Sequence, residues 1–244
     1  MHEPNEALTG DTVPTRRPTR WRNAVEVLVV ATTGFVVIPL AAATVGYDPN
    51  LFLTTIEGFV SLLTLEAVVT LSLIWIFLRW REQDLSLLSR IPRNWKTELV
   101  LGAAVVPVLF LIVVMVTGLV RSLAPGWTTL ENPLLDLVTS PSDAWLLVLS
   151  SIFVGGFKEE IQRAFVLERF RENLGGPWVG LILWSVFFGY GHALQGIDNA
   201  VAAGVLGLVF GWLYLSRGCL VAPITAHATF NTCTVLLYWF LSRS

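Results

Sequence analysis

The sequence predicts an all-α, polytopic transmembrane helix bundle of about seven spanning helices, between about six and eight. Of its 244 residues, 54% are hydrophobic and only 14% are charged, whereas soluble domains carry about 25% charged residues. A spanning helix needs roughly 20 mostly apolar residues, and seven segments meet this requirement. In chain order they are residues 24–45, 56–78, 97–120, 144–172, 177–196, 199–215 and 219–241.

The chain is expected to have three parts: a polar cytoplasmic tail over 1–22, N-terminal transmembrane helices and loops over 23–143, and a C-terminal transmembrane core over 144–241. The first apolar stretch is too long for the core of a signal peptide. It is therefore interpreted as the first spanning helix.

Basic residues are enriched in the segments that lie on the same side of the predicted membrane as the N-terminus of the chain. Cytoplasmic loops retain Lys and Arg, so we expect a multi-pass protein of the plasma membrane with its N-terminus inside. The residues on this side are Arg16, Arg17, Arg20, Arg22, Arg79, Arg81, Arg90, Arg93, Lys96, Arg169, Arg171 and Arg217. The net charge of −2 gives no reason to expect nucleic-acid binding.

The fourth segment carries charges that a spanning helix tolerates only when they are paired or face a cavity. Glu159 lies four residues before Arg163 and Glu160 lies three before it, so either carboxylate can meet the guanidinium. The other carboxylate would be free for general-base work. This segment alone also fits a solvated helix end with ordinary charges.

Two histidines and an asparagine favour a functional site. His192 and His227 fall in apolar segments, and His227 precedes Asn231 by four residues, which puts both side chains on one helix face. Glu159 lies 16 residues before the Gly175–Gly176 turn and His192 lies 16 after it. Both should therefore lie about 24 Å along their helices from the turn, at one level within the membrane.

Such a set of residues can hydrolyse a peptide bond. A carboxylate and an imidazole can deprotonate a water, while a second imidazole and an amide stabilise the oxyanion. We expect Glu159 to be the general base, His192 to position the water or share its proton, and His227 with Asn231 to stabilise the oxyanion. Glu160 and Arg163 are the expected supporting ion pair.

A metal-assisted alternative uses the same side chains. His192, His227 and Glu159 could bind zinc with an open water position, although no H-E-x-x-H motif occurs. Zinc is the one cofactor that these residues suggest, and none is certain from the sequence.

Three motifs in order resemble the CPBP family, which joins the CAAX-processing type II prenyl endopeptidases to bacteriocin-processing and immunity proteins. They are Glu159–Glu160–x–x–Arg163, Phe188–x–x–x–His192 and His227–x–x–x–Asn231. The resemblance covers about 144–241 and implies an intramembrane endopeptidase, with Phe188 as a supporting residue. It leaves both a metalloprotease and a metal-free glutamate mechanism open.

The first motif departs from the family pattern, which usually has three residues between the glutamate pair and the arginine. Matching on the pair makes Glu159 the catalytic glutamate. Matching on Arg163 instead puts Lys158 in that place and casts doubt on activity.

The expected function is hydrolysis of a membrane-anchored or lipidated peptide or protein, with the lipid bilayer as the other partner. Two alternatives stay open. One is a proton-coupled transporter, because glutamate and histidine also build proton relays; the other is a non-catalytic immunity or binding protein on the same scaffold.

Overall fold

A computed structural model describes residues 19–34, 44, 54–89, 92–128 and 134–241 of the chain. Within these ranges the chain forms seven helical rods and no strand. The first three rods are α1 (Arg20–Thr32), α2 (Ile56–Arg79) and α3 (Trp95–Leu123). The fourth is continuous and consists of α4 (Pro141–Ser150), a π-helical segment (Ser151–Lys158) and α5 (Glu159–Asn173). The last three are α6 (Pro177–Gly191), α7 (Ile197–Arg217) and α8 (Val221–Leu241).

The predicted all-α bundle is confirmed, and each rod overlaps one of the seven predicted segments. The second half of the predicted segment 24–45 lies mostly outside the described residues. Three described helices, α2, α3 and α7, are long and apolar enough by themselves to cross a membrane, with mean hydropathies of 2.1, 3.1 and 1.6. The π-containing rod carries a charged stretch, and α6 has only 15 residues. The tail over 1–18 lies outside the described residues, and the three-part division of the chain stays a prediction.

The distribution of polarity is that of a membrane protein. Large apolar side chains such as Val100, Val114 and Val186 face outward, where a soluble protein of this size would expose polar ones. Charged residues such as Arg163 and Arg169 are instead fully buried between the rods. The chain is therefore an integral membrane protein.

Ion pairs close the two ends of the bundle. Arg169 Nε lies 2.8 Å from Glu26 Oε2, which ties α5 to α1. At the opposite end Arg121 Nε lies 2.6 Å from the buried Asp198 on α7. Arg169 and Arg121 therefore lie at opposite ends of the bundle.

The segment Ser151–Lys158 is π-helical, which the sequence did not predict. Its residues are bonded i to i+5, and such turns are common at functional sites. Gly155 and Gly156 lie in it, and a Cβ at Gly156 would overlap Ala228 of α8. The two glycines therefore allow the π segment to pack directly against the helix that carries His227 and Asn231.

Candidate active site

The π segment and the start of α5 point three consecutive charged side chains in different directions. Lys158 faces α2, where it meets Glu66. Glu159 faces α8, with its Oε2 3.7 Å from His227 Nε2. Glu160 is fully buried. Of the two carboxylates, Glu159 is therefore the one that keeps partial exposure, with 20% of its side chain accessible.

Glu160 is the partner of Arg163, the choice that helix spacing alone left open. Its Oε1 accepts a hydrogen bond from Arg163 Nη1, and both side chains have no exposed surface. The same oxygen lies 2.7 Å from His227 Nδ1. The ion pair is thus joined directly to the histidine, which the sequence did not predict.

Two aromatic rings hold His227. Phe210 of α7 stacks on the imidazole with ring centroids 4.4 Å apart and an angle of 14°, and Phe188 meets it edge-on at 6.2 Å. The guanidinium of Arg163 lies over the same two rings, 5.0 Å from Phe188 and 5.5 Å from Phe210. Phe210 belongs to none of the three motifs, and only packing reveals it.

Gly155 brings Asn231 to the same place. A Cβ at this position would overlap Nδ2 of Asn231 and lie 3.5 Å from His227 Nε2. The carboxamide and the imidazole therefore meet the backbone of the π segment side by side. Because Glu159 also approaches His227 at Nε2, the three side chains converge on one region.

His192 lies at the end of α6, and its side-chain contacts are with Phe188. The sequence predicts it inside a helix over 177–196, but α6 ends at Gly191 and His192 is its C-cap residue, before a 3-10 turn at Ala193–Gln195. Two closely spaced glycines, Gly189 and Gly191, weaken the helix at this point.

The ring of His192 is held through Phe188. Its Nδ1 lies 2.9 Å from the Phe188 carbonyl, and the two rings lie 4.6 Å apart. Within the described ranges His192 forms no ion pair with a carboxylate. Because the carbonyl can only accept, Nδ1 must donate, and the neutral ring keeps a free lone pair on Nε2.

The described side chains do not fit a metal centre. No group of three His, Cys, Asp or Glu side chains within these ranges lies close enough together to hold an ion. His192, His227 and Glu159, the expected ligands of the zinc alternative, are therefore not arranged as a ligand set.

A protein-family model matches part of the chain. Residues 140–233 match the family model described as type II CAAX prenyl endopeptidase, Rce1-like. The matched region runs from the residue before α4 into α8 and includes all three motifs. Comparison with curated proteins and with solved structures gave no match.

Proposed function

Residues 140–233 make this chain a member of the CPBP/CAAX family of intramembrane proteases, and from that premise we propose that it hydrolyses a peptide bond with a water activated by Glu159. The family is one of proteases, so a peptidase activity is the general expectation. The proposal adds the residues and the mechanism.

One observation carries the proposal: Glu159 and Asn231 both lie near the Nε2 atom of His227. Glu159 Oε2 lies 3.7 Å from Nε2, and Asn231 Nδ2 lies against Gly155 beside that nitrogen. A base and two hydrogen-bond donors thus share one partly accessible region, as water-mediated hydrolysis requires. Lys158 points away from this region, which favours Glu159 as the catalytic glutamate.

The proposed role of His227 needs a proton on each of its two ring nitrogens. Glu159 and Glu160 supply two negative charges, and Arg163 supplies one positive charge. A positive charge on His227 would bring the sum of these four charges to zero. With Nδ1–H donated to Glu160, the second proton lies on Nε2 and can be donated to an oxyanion.

The reaction then follows in two steps. Glu159 takes a proton from water, and the hydroxide attacks the carbonyl carbon while His227 Nε2–H and the Asn231 amide donate to the oxyanion. As the C–N bond breaks, the leaving nitrogen takes the proton from Glu159. His192, whose Nε2 is an acceptor in the neutral ring, positions the water or shares its proton.

The surroundings of the site indicate the class of substrate. The site lies among rods whose outer surface is apolar, so a peptide substrate reaches the site through the membrane. We therefore propose a membrane-anchored or lipidated peptide or protein as the substrate. We also propose that the protein lies in the plasma membrane with its N-terminus inside.

The test is cleavage of a membrane-anchored reporter peptide library by the full chain in proteoliposomes. Glu159→Gln should abolish cleavage, because glutamine cannot accept the proton. Glu57→Gln, which changes an exposed glutamate at the start of α2, should cleave like the unmodified protein. Cleavage that survives Glu159→Gln would remove Glu159 from the mechanism. If the unmodified chain cleaves no peptide but the proteoliposomes show counterflow of a labelled solute, the transporter alternative is favoured.

A further inference from the structure

A second buried ion pair lies next to the site and has no part in the proposed reaction. Lys158 Nζ lies 2.6 Å from Glu66 Oε2, and only 7% and 12% of the two side chains are accessible. Glu66 lies near the middle of α2, and Lys158 immediately precedes Glu159. Charges at this depth are costly, so a functional role is the default hypothesis for them even when they are paired.

Glu66 is held in place by its neighbours. Thr70 donates a hydrogen bond to Glu66 Oε1 at 3.1 Å. Gly34, which follows α1, packs so closely that a Cβ there would lie 3.1 Å from Glu66 Cγ. The carboxylate that receives Lys158 is therefore fixed by two rods.

Lys158 and Glu159 leave the rod on different sides. Glu159 and Gly155 face His227, whereas Lys158 faces α2. Any rotation of the π segment about its axis would move Lys158 away from Glu66 and Glu159 away from His227 together. One ion pair thus restrains the same rotation that sets the distance between base and imidazole.

We propose that the Lys158–Glu66 ion pair is a positioning device that fixes the rotation of the π segment and thereby holds the Glu159 carboxylate beside His227. Lys158 and Glu66 act through Glu159 and touch no reacting atom. The catalytic meaning of the pair rests on the proposed function, but its effect on Glu159 does not.

The variants that test this proposal are chosen by what each does to the buried charges of the pair. Removing one partner leaves an unpaired buried charge and strongly destabilises the protein, whereas replacing both with apolar side chains is often neutral. The informative variant is therefore Lys158→Met/Glu66→Met, which should fold and keep its Tm. Lys158→Glu/Glu66→Lys restores the pair in reverse. Glu98→Met/Arg217→Met removes a different cross-helix pair, in which the closest atoms lie 2.5 Å apart, and is the matched control.

The first measurement needs no substrate. The full chain in nanodiscs is treated with a carbodiimide and an amine, and modification of Glu159 is followed by peptide mass spectrometry. Labelling should rise severalfold in the double methionine variant and return towards the original level in the reversed pair. Labelling equal to that of the unmodified protein and of the control would overturn the proposal.

The second measurement uses the reporter peptide. The double methionine variant should lose kcat by about 10²-fold, the cost of a misplacement of about 1 Å, while KM stays nearly constant and the reversed pair recovers activity. An unchanged kcat would also overturn the proposal. If the unmodified chain cleaves nothing, the proposed function fails, and the labelling result alone decides the inference.

Discussion

His227 Nδ1 lies 2.7 Å from Glu160 Oε1 in a fully buried contact. The opposite nitrogen of the same ring faces Glu159 at 3.7 Å. One imidazole therefore separates a carboxylate that is already neutralised by Arg163 from one that is partly exposed. This division gives the two adjacent glutamates different tasks, and the predictions below follow from it.

Glu160→Gln should impair both stability and activity. The change leaves Arg163 buried without its counter-charge, which costs about 3–5 kcal/mol. It also removes the negative charge that His227 Nδ1 contacts, so kcat should fall by about 10²-fold or more. Thermal unfolding and reporter cleavage measure the two effects. In Glu160→Gln/Arg163→Met, the Tm should recover and the activity should not; recovery of both would show that Glu160 is only structural.

Asn231→Ala should reduce kcat by about 10²-fold, the usual effect of losing one oxyanion donor, and should leave KM nearly unchanged. The matched control is Thr234→Ala on the same helix, which loses only a bond to the Phe230 carbonyl. Steady-state kinetics with the reporter peptide distinguish the two. A rise in KM at constant kcat would instead assign Asn231 to substrate binding.

Gly155→Ala should inactivate the protein, because the added Cβ overlaps the Asn231 amide. Gly118→Ala provides a control in the interior of α3, where the added Cβ meets nothing within 4 Å. There the substitution should stabilise the helix by up to about 1 kcal/mol. Cleavage and Tm are measured for both variants. Full activity of Gly155→Ala would mean that Asn231 has room to move without consequence.

Purified protein should contain no stoichiometric zinc, and chelators should leave cleavage intact. The reason is the arrangement of the donors: His192 is held by Phe188, while Glu159 and His227 contact each other. Elemental analysis and activity after chelation measure this. A bound metal lost together with activity, and restored with it, would favour the zinc alternative.

Cysteine labelling should reveal the orientation in the membrane. In a Cys219→Ser/Cys233→Ser background, Ser122→Cys at the end of α3 should react with an impermeant maleimide added to intact cells. Ser86→Cys, in the turn after α2, should react only after permeabilisation. Both positions are exposed. The reverse pattern would place the N-terminus outside.

Hydropathy was enough to predict the seven rods, because a span of apolar residues is a local signal. The partner of Arg163 was not predictable, since spacings of three and four residues are both compatible with one helix face. The contact between Glu66 and Lys158 joins residues 92 positions apart in the chain, and only the packed bundle brings them together. Phe210 is one of 14 phenylalanines and has no local signal that distinguishes it.

The end of α6 shows a related limit. Apolar residues continue past Gly191, so hydropathy extended the helix to residue 196. The backbone instead leaves the helix at His192, because helix ends depend on backbone conformation more than on polarity. The motif singled out His192 as a candidate but did not reveal that it caps a helix.

The π-helical turn has a consequence for how the chain can change its length. An α-helix advances about 100° per residue, so deleting one residue from a regular rod would swing everything before it to a new side. The π-helical segment Ser151–Lys158 has more residues per turn than an α-helix, because its hydrogen bonds join residues i and i+5. If one residue is deleted from the π segment, the segment can tighten to α-helical geometry and absorb the change. The length of the rod can then vary at this point while Glu159 and Glu160 keep their orientation.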